Sequence, residues 1–155
     1  MKDGTTTGEC PTRILVDADA CPVKEIILRM AKLRNIPVTM VIDTSHELDD
    51  SYSTVITVDK GSDSTDYFIA GIATCHDIVV TQDYGLGAMV LAKGASAIDQ
   101  NGMIYTGDNI DNLLEGRHIG QKIRRGGGRT KGPKKRNRED DERFEDAFGK
   151  ILDRK

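Results

Sequence analysis

The chain has 155 residues, of which 37% are hydrophobic and 30% charged, values typical of a polar globular domain with a core of its own. No apolar run approaches the roughly 18 residues that cross a bilayer, and the first residues lack the apolar stretch of a signal peptide. Three cysteines without CxxC spacing argue against a disulfide framework or a zinc site. They predict a reducing, cytoplasmic location.

The net charge of −3 is unevenly distributed along the chain. Residues 1–116 contain 8 Lys or Arg and 18 Asp or Glu, whereas residues 117–138 contain 10 Lys or Arg and no acid. Residues 139–155 contain 4 basic and 7 acidic side chains. An acidic body is therefore followed by a basic stretch, which is either a solvated linker or a segment that binds a polyanion such as nucleic acid.

Strand and helix patterns alternate from residue 13 onward. The apolar run RILVD, residues 13–17, predicts a strand covered on both faces, and residues 22–35 place apolar side chains at helical spacing. The same reasoning predicts strands over 37–43, 53–59, 77–83 and 95–99, and helices over 63–76, 86–94 and 108–118. The pair Asn101-Gly102 is a turn signal that predicts a small returning edge strand.

Strands that alternate with helices predict an α/β fold with a mostly parallel sheet and helices on both of its faces. We expect the strand order 3-2-1-4-5, in which strands 1 and 4 are neighbours where the order reverses. Each predicted strand ends on an aspartate. In this order Asp17 and Asp83 come together, with Asp19 just beyond them. The acids that end the other strands lie outward: Asp43, Asp59 and Asp99.

Composition divides the chain into three parts. We expect an α/β domain over residues 13–119, a basic flexible segment over 120–138 and an amphipathic helix over 139–155. The apolar stripe of that helix consists of Phe144, Ala147, Phe148, Ile151 and Leu152. We expect the stripe to dock either on the chain's own body or on a second copy of the chain.

Five aspartates form the candidate catalytic cluster. Asp17 and Asp19 follow the first strand, Asp63 and Asp66 share one face at the start of a helix, and Asp83 follows the fourth strand. Two carboxylates about 5 Å apart repel by roughly 3 kcal/mol at an effective dielectric near 20, so such a cluster needs protons or a cation. An all-oxygen ligand set suits Mg²⁺ or Mn²⁺, and these ions activate water and hold a phosphodiester group.

Each acid also has a purely structural interpretation. Asp63 or Ser64 would cap the second predicted helix, with Asp66 reaching back to the backbone N–H of the cap residue. Asp19 would cap the first helix. Asp17 and Asp83 would close strand turns. Taken singly these interpretations are the commoner ones, and convergence on one edge of the sheet is what favours a metal site.

Two neighbours of Asp83 have predicted roles. We expect Thr81 to steady the loop of Asp83 by hydrogen bonding. The ring of Tyr84 has two candidate roles, packing in the core and, less commonly, stacking on a nucleic-acid base.

Several motifs together resemble those of the YaiI/YqxD family of small bacterial proteins. They are VDADACPVK, GSDSTDYFI, VVTQDYGLGAMVLAKGA and RRGGGRTKGP, and the resemblance extends from about residue 13 to residue 152. That family is grouped with PIN-like nucleases. The resemblance therefore implies a PIN-like domain, a three-layer α/β/α Rossmann-like sandwich in which clustered acids hold Mg²⁺ or Mn²⁺.

The resemblance also implies roles for individual acids. Asp17, Asp66 and Asp83 match the acids of the PIN-like pattern and would be catalytic metal ligands. Asp19 falls at the second polar position after the first strand, and Asp63 matches an acid of related NYN-type nucleases, so both would complete the metal shell or orient water. A further mid-chain glutamate of many PIN domains has no clear counterpart here.

The expected function is metal-dependent hydrolysis of phosphodiester bonds in RNA or single-stranded nucleic acid. Phosphate contacts are expected from Arg117, Lys122, Arg124, Arg125, Arg129, Lys131, Lys134 and Lys135. One alternative is a non-catalytic protein of the same fold that binds RNA or a ribonucleoprotein partner through the basic segment. Another is a basic tail that folds back over the acidic edge and binds nothing.

Overall fold

The computed structural model describes residues 11–19, 21–43, 51–59, 64–115 and 135–154. The strands are β1 (Arg13–Asp17), β2 (Val38–Asp43), β3 (Thr54–Val58), β4 (Asp77–Val80) and β5 (Ser96–Ile98). The helices are α1 (Lys24–Arg34), α2 (Ser64–Ile72), α3 (Tyr84–Ala92), α4 (107–115) and α5 (Arg138–Arg154).

The strands form one sheet in the order β3-β2-β1-β4-β5, and each pairing between neighbours is parallel. Asp17 is in register with Val41 of β2, and Val16 with Val80 of β4, so β1 ends between its two neighbours. The predicted α/β class, layer arrangement and strand order are confirmed.

The sheet has a separate hydrophobic core on each face. Alternation along β1 sends Ile14 and Val16 to one core and Leu15 to the other, and all three side chains are buried. The first core is completed by α1 and α5, and the second by α2, α3 and α4. Among the described helices, none is long and apolar enough to cross a membrane.

Helix α5 packs on the chain's own body, which answers the question that the sequence left open. Its apolar stripe joins the α1 core, where the rings of Phe144 and Phe148 are completely buried and stacked with their centroids 5.0 Å apart. Two ion pairs join it to α1: Arg29 with Glu145 at 2.9 Å, and Arg34 with Asp153 at 3.2 Å. The helix therefore covers apolar sheet surface that the crossover helices leave on this face.

The edge strand predicted after Asn101-Gly102 is wrong in extent, because the structure has only one antiparallel bridge there, between Ile98 and Ile104. Gly102 adopts a φ of +91°, and a Cβ placed on it would lie 2.5 Å from the carbonyl oxygen of Arg143. The turn after β5 is thus pressed against the backbone of α5. After this turn the chain returns beside β5 for a single bridge.

Candidate functional site

Asp17 and Asp83 share one pocket at the carboxyl ends of β1 and β4. The pocket has a volume of about 450 Å³ and is lined by Asp17, Gln82, Asp83 and Tyr84. It lies where the strand order reverses, because β1 and β4 are hydrogen-bonded neighbours with helices on opposite faces. The structure thus brings together two of the five predicted acids.

Thr81 links these two acids through its hydroxyl group. Its Oγ1 donates a hydrogen bond to Oδ2 of Asp17 at 2.9 Å and accepts one from the backbone N–H of Asp83 at 3.0 Å. Only 3% of the Thr81 surface is exposed, so the hydroxyl has few alternative partners. The predicted stabilising role of Thr81 is confirmed, and it extends to the Asp17 carboxylate.

Asp83 also caps helix α3. Its Oδ1 accepts hydrogen bonds from the backbone N–H groups of Gly85 at 2.8 Å and Leu86 at 3.2 Å. These bonds satisfy amides that have no partner within the helix. Asp83 thus has a structural role, although as a helix cap and not as the closure of a strand turn that its structural interpretation predicted. The cap fixes the carboxylate at the pocket.

Asp17 lies in an environment that opposes its charge. The pKa of Asp17 is raised from 3.8 to about 6. Burial is the main cause and the carboxylates of Asp19 and Asp83 add to it, whereas the hydrogen bond from Thr81 lowers the pKa. A buried acid beside two other acids is stabilised by any cation that enters the pocket.

Asp19 lies at the same edge but does not cap α1 as one interpretation predicts. The N-cap position of α1 is Val23, and no side chain caps this helix. The carboxylate of Asp19 instead accepts hydrogen bonds from the backbone N–H of Asp43, at 3.2 and 3.4 Å to its two oxygens, and from Thr65 Oγ1 at 3.4 Å. Asp19 therefore connects the end of β2 with the start of α2.

The remaining predicted residues are placed only in part. Asp66 lies in the first turn of α2, directly after Thr65, but does not line the pocket. Lys135 is exposed just before α5, whereas Asp63 lies outside the described residues. So do the other predicted phosphate-binding residues: Arg117, Lys122, Arg124, Arg125, Arg129, Lys131 and Lys134. Over the part of the chain that the structure describes, no group of three or more His, Cys, Asp or Glu side chains is arranged to hold a metal ion.

The Asp17–Asp83 pair fits one particular mode of metal binding. Mg²⁺ is commonly held by one or two carboxylates, with water and substrate phosphate completing its octahedron. Oδ1 of Asp17 accepts no hydrogen bond from the described residues, and the pair lines an open pocket. The oxygen donors suit Mg²⁺ or Mn²⁺ better than Zn²⁺.

Two residues at the site, Gln82 and Tyr105, are not among those that the sequence predicts. Gln82 lines the pocket only because it lies between Thr81 and Asp83, a position that could have marked it. Tyr105 is buried, and its hydroxyl donates a hydrogen bond to the carbonyl oxygen of Thr81 at 3.1 Å. That contact joins residues far apart in the chain, so no local pattern predicts it.

Comparison with known proteins places the chain among a group of bacterial relatives. The profile described as "Uncharacterized BCR, YaiI/YqxD family" matches residues 15–154. A "UPF0178 protein" of Ruminiclostridium cellulolyticum is 62% identical over 136 residues, which cover 88% of this chain and 89% of that protein. A "UPF0178 protein" of Alkaliphilus oremlandii is 53% identical over 141 residues, 91% of each chain. Another, of Exiguobacterium sibiricum, is 49% identical over 143 residues, 92% of this chain and 98% of that protein.

No solved structure matches the chain.

Proposed function

The chain belongs to the YaiI/YqxD family, and we propose that it is a Mg²⁺- or Mn²⁺-dependent nuclease that hydrolyses phosphodiester bonds in RNA or single-stranded nucleic acid. The observation that carries this proposal is the pair of carboxylates, Asp17 and Asp83, in one open pocket. Burial, with smaller contributions from the charges of Asp19 and Asp83, raises the pKa of Asp17 to about 6. Such perturbed acids in a pocket are typical of functional sites.

The protein's own groups would have separate tasks. Asp17 and Asp83 are the proposed metal ligands in the pocket. Asp66, Asp19 and Asp63 are proposed to complete the shell or to orient water. A bound Mg²⁺ or Mn²⁺ ion supplies Lewis-acid chemistry and lowers the pKa of water. The hydrogen bond from Thr81 holds the Asp17 carboxylate in one orientation.

The basic stretch supports the choice of substrate. Ten cationic side chains without an acid over residues 117–138 attract a polyanion through its phosphate groups, largely without regard to base sequence. The proposed contacts are Arg117, Lys122, Arg124, Arg125, Arg129, Lys131, Lys134 and Lys135. The proposed location is the cytoplasm, because the three cysteines lack the spacing of a disulfide framework.

The test is cleavage of a labelled single-stranded RNA in the presence of Mn²⁺. We expect Asp17→Asn and Asp83→Asn to reduce cleavage at least about 100-fold. Each replaces a charged metal ligand by a neutral amide of nearly the same size. The control is Asp146→Asn, which makes the same chemical change at an exposed position on α5. Equal cleavage by the natural protein and all three variants would contradict the proposal.

A second candidate is a non-catalytic protein that binds RNA or a ribonucleoprotein partner through the basic segment. The observation that favours it is that no group of three metal-binding side chains is found among the described residues. It predicts binding of single-stranded RNA that weakens with salt, is unchanged by EDTA and is accompanied by no cleavage. Fluorescence anisotropy with and without EDTA distinguishes the two candidates.

A further inference from the structure

The pocket at the Asp17–Asp83 pair has a second wall, which the metal proposal does not use. This wall consists of Gln82 and Tyr84, an exposed amide and a half-buried aromatic ring. A volume of about 450 Å³ lies within the range that holds one small ligand. A nuclease site needs room beside its metal for the nucleotide that flanks the reacting phosphate, and this wall is the surface that such a nucleotide would touch.

The ring of Tyr84 is held in place by a buried neighbour. It meets the ring of Tyr105 edge-on, with centroids 6.1 Å apart and planes at 67°. Tyr105 is only 2% exposed, and its hydroxyl group is anchored on the carbonyl oxygen of Thr81. A ring that is fixed before binding loses little conformational freedom when a ligand stacks on it.

A glycine in helix α3 allows the ring of Tyr105 to pack closely against the helix. A Cβ placed on Gly87 would lie 3.2 Å from the ring of Tyr105, so glycine at this position lets Tyr105 approach the helix closely. The same helix begins at Tyr84 and is capped by Asp83. One rigid unit therefore carries a carboxylate and an aromatic ring into the same pocket.

We propose that Tyr84 stacks on the base next to the phosphodiester group that is cleaved, with the amide of Gln82 hydrogen-bonding to the same nucleotide. This inference rests on the proposed nuclease function. A base within a duplex is already stacked on both sides and paired, so only an unpaired nucleotide places its face on this ring. Tyr84 thereby makes the site selective for single strands, and it tolerates any base because each base has an aromatic face.

The substitution Tyr84→Trp provides a direct probe, since the natural chain contains no tryptophan. We expect its indole emission to be quenched by a short single-stranded RNA and not by the same sequence as a blunt duplex. The measurement is made in EDTA, where metal-dependent cleavage is absent. The matched control is Tyr67→Trp, because Tyr67 is 67% exposed on α2 and does not line the pocket. Its emission should respond equally to both nucleic acids.

A second variant tests the energetic consequence. We expect Tyr84→Leu to reduce the preference for single strand over duplex by about 5- to 150-fold in anisotropy titrations, the range that corresponds to removal of a stacking ring. Tyr84→Phe keeps the ring and should change this preference by no more than about twofold.

The outcomes separate the two proposals. Quenching of the Tyr84→Trp variant by single-stranded RNA and not by duplex, without any Mn²⁺-dependent cleavage by the natural protein, would overturn the nuclease proposal. It would support base stacking at Tyr84. Cleavage that requires Asp17 and Asp83, together with equal quenching of both tryptophan probes or an unchanged strand preference in Tyr84→Leu, would overturn the stacking role alone.

Discussion

Asp17 is the residue at which burial, charge and hydrogen bonding meet. Its side chain is half-buried and is repelled by the charges of Asp19 and Asp83. Its carboxylate accepts a hydrogen bond from the Thr81 hydroxyl. Asp17 and Asp83 could be predicted as neighbours because parallel strands end at one edge. The contribution of Tyr105 could not be predicted, because its hydrogen bond to Thr81 depends on a long-range packing contact.

The raised pKa of Asp17 makes stability depend on pH. Because the folded-state pKa, about 6, lies above the usual value of 3.8, the folded protein binds a proton more tightly at this site than the unfolded chain. The favourable contribution is present in full below pH 3.8 and is lost as the pH rises through about 6. In EDTA at neutral pH, Asp17→Asn should therefore raise the free energy of unfolding by about 1–3 kcal/mol and Tm by about 2–12 °C.

Thermal unfolding between acidic and mildly alkaline pH measures this effect. The difference between Asp17→Asn and the natural protein should shrink towards zero near pH 4. Asp146→Asn, which changes an exposed acid, should show no comparable dependence on pH. A stability gain that is constant with pH, or a loss at neutral pH, would refute the assignment of charge burial to Asp17.

At the scale of elements, apolar runs predicted the strands well but extended them too far at the site. The predicted strand over 77–83 ends at Val80, because Thr81 and Asp83 form the turn that leads into α3. Helix α3 begins at Tyr84 and not at residue 86, since the side chain of Asp83 caps it. The apolar stripe of α5 indicated which face is buried, but no periodic pattern specifies the surface against which it packs.

The contact between the β5 turn and α5 gives a prediction at this scale. Gly102→Ala adds a Cβ at positive φ and directly against the backbone of Arg143, so we expect a loss of about 2–4 kcal/mol in the free energy of unfolding. Gly107→Ala is the matched control, because a Cβ there has nothing within 4 Å, and its effect should stay within about 0.5 kcal/mol. Urea unfolding measures both, and equal losses would show that α5 does not press on this turn.

At the scale of the whole molecule, an acidic body carries its candidate site at the edge where parallel strands end. Residues 1–116 contain 18 acidic and 8 basic side chains, a net charge of −10. The basic stretch that follows, residues 117–138, has a net charge of +10. A divalent cation in the Asp17–Asp83 pocket would compensate the acids locally, and a phosphate backbone would compensate the basic stretch. These two expectations underlie the proposed metal-dependent nuclease activity.

The central claim is that the Asp17–Asp83 pocket binds a divalent cation, and thermal unfolding with and without Mn²⁺ tests it most directly. Binding to the folded state alone stabilises it by about 2.7 kcal/mol when the free ion is at 100 times its dissociation constant, so Mn²⁺ should raise Tm of the natural protein by about 5–10 °C. Asp146→Asn should show the same rise, whereas Asp17→Asn should show little or none. The same rise in Asp17→Asn, or no rise in the natural protein at saturating Mn²⁺, would contradict the account.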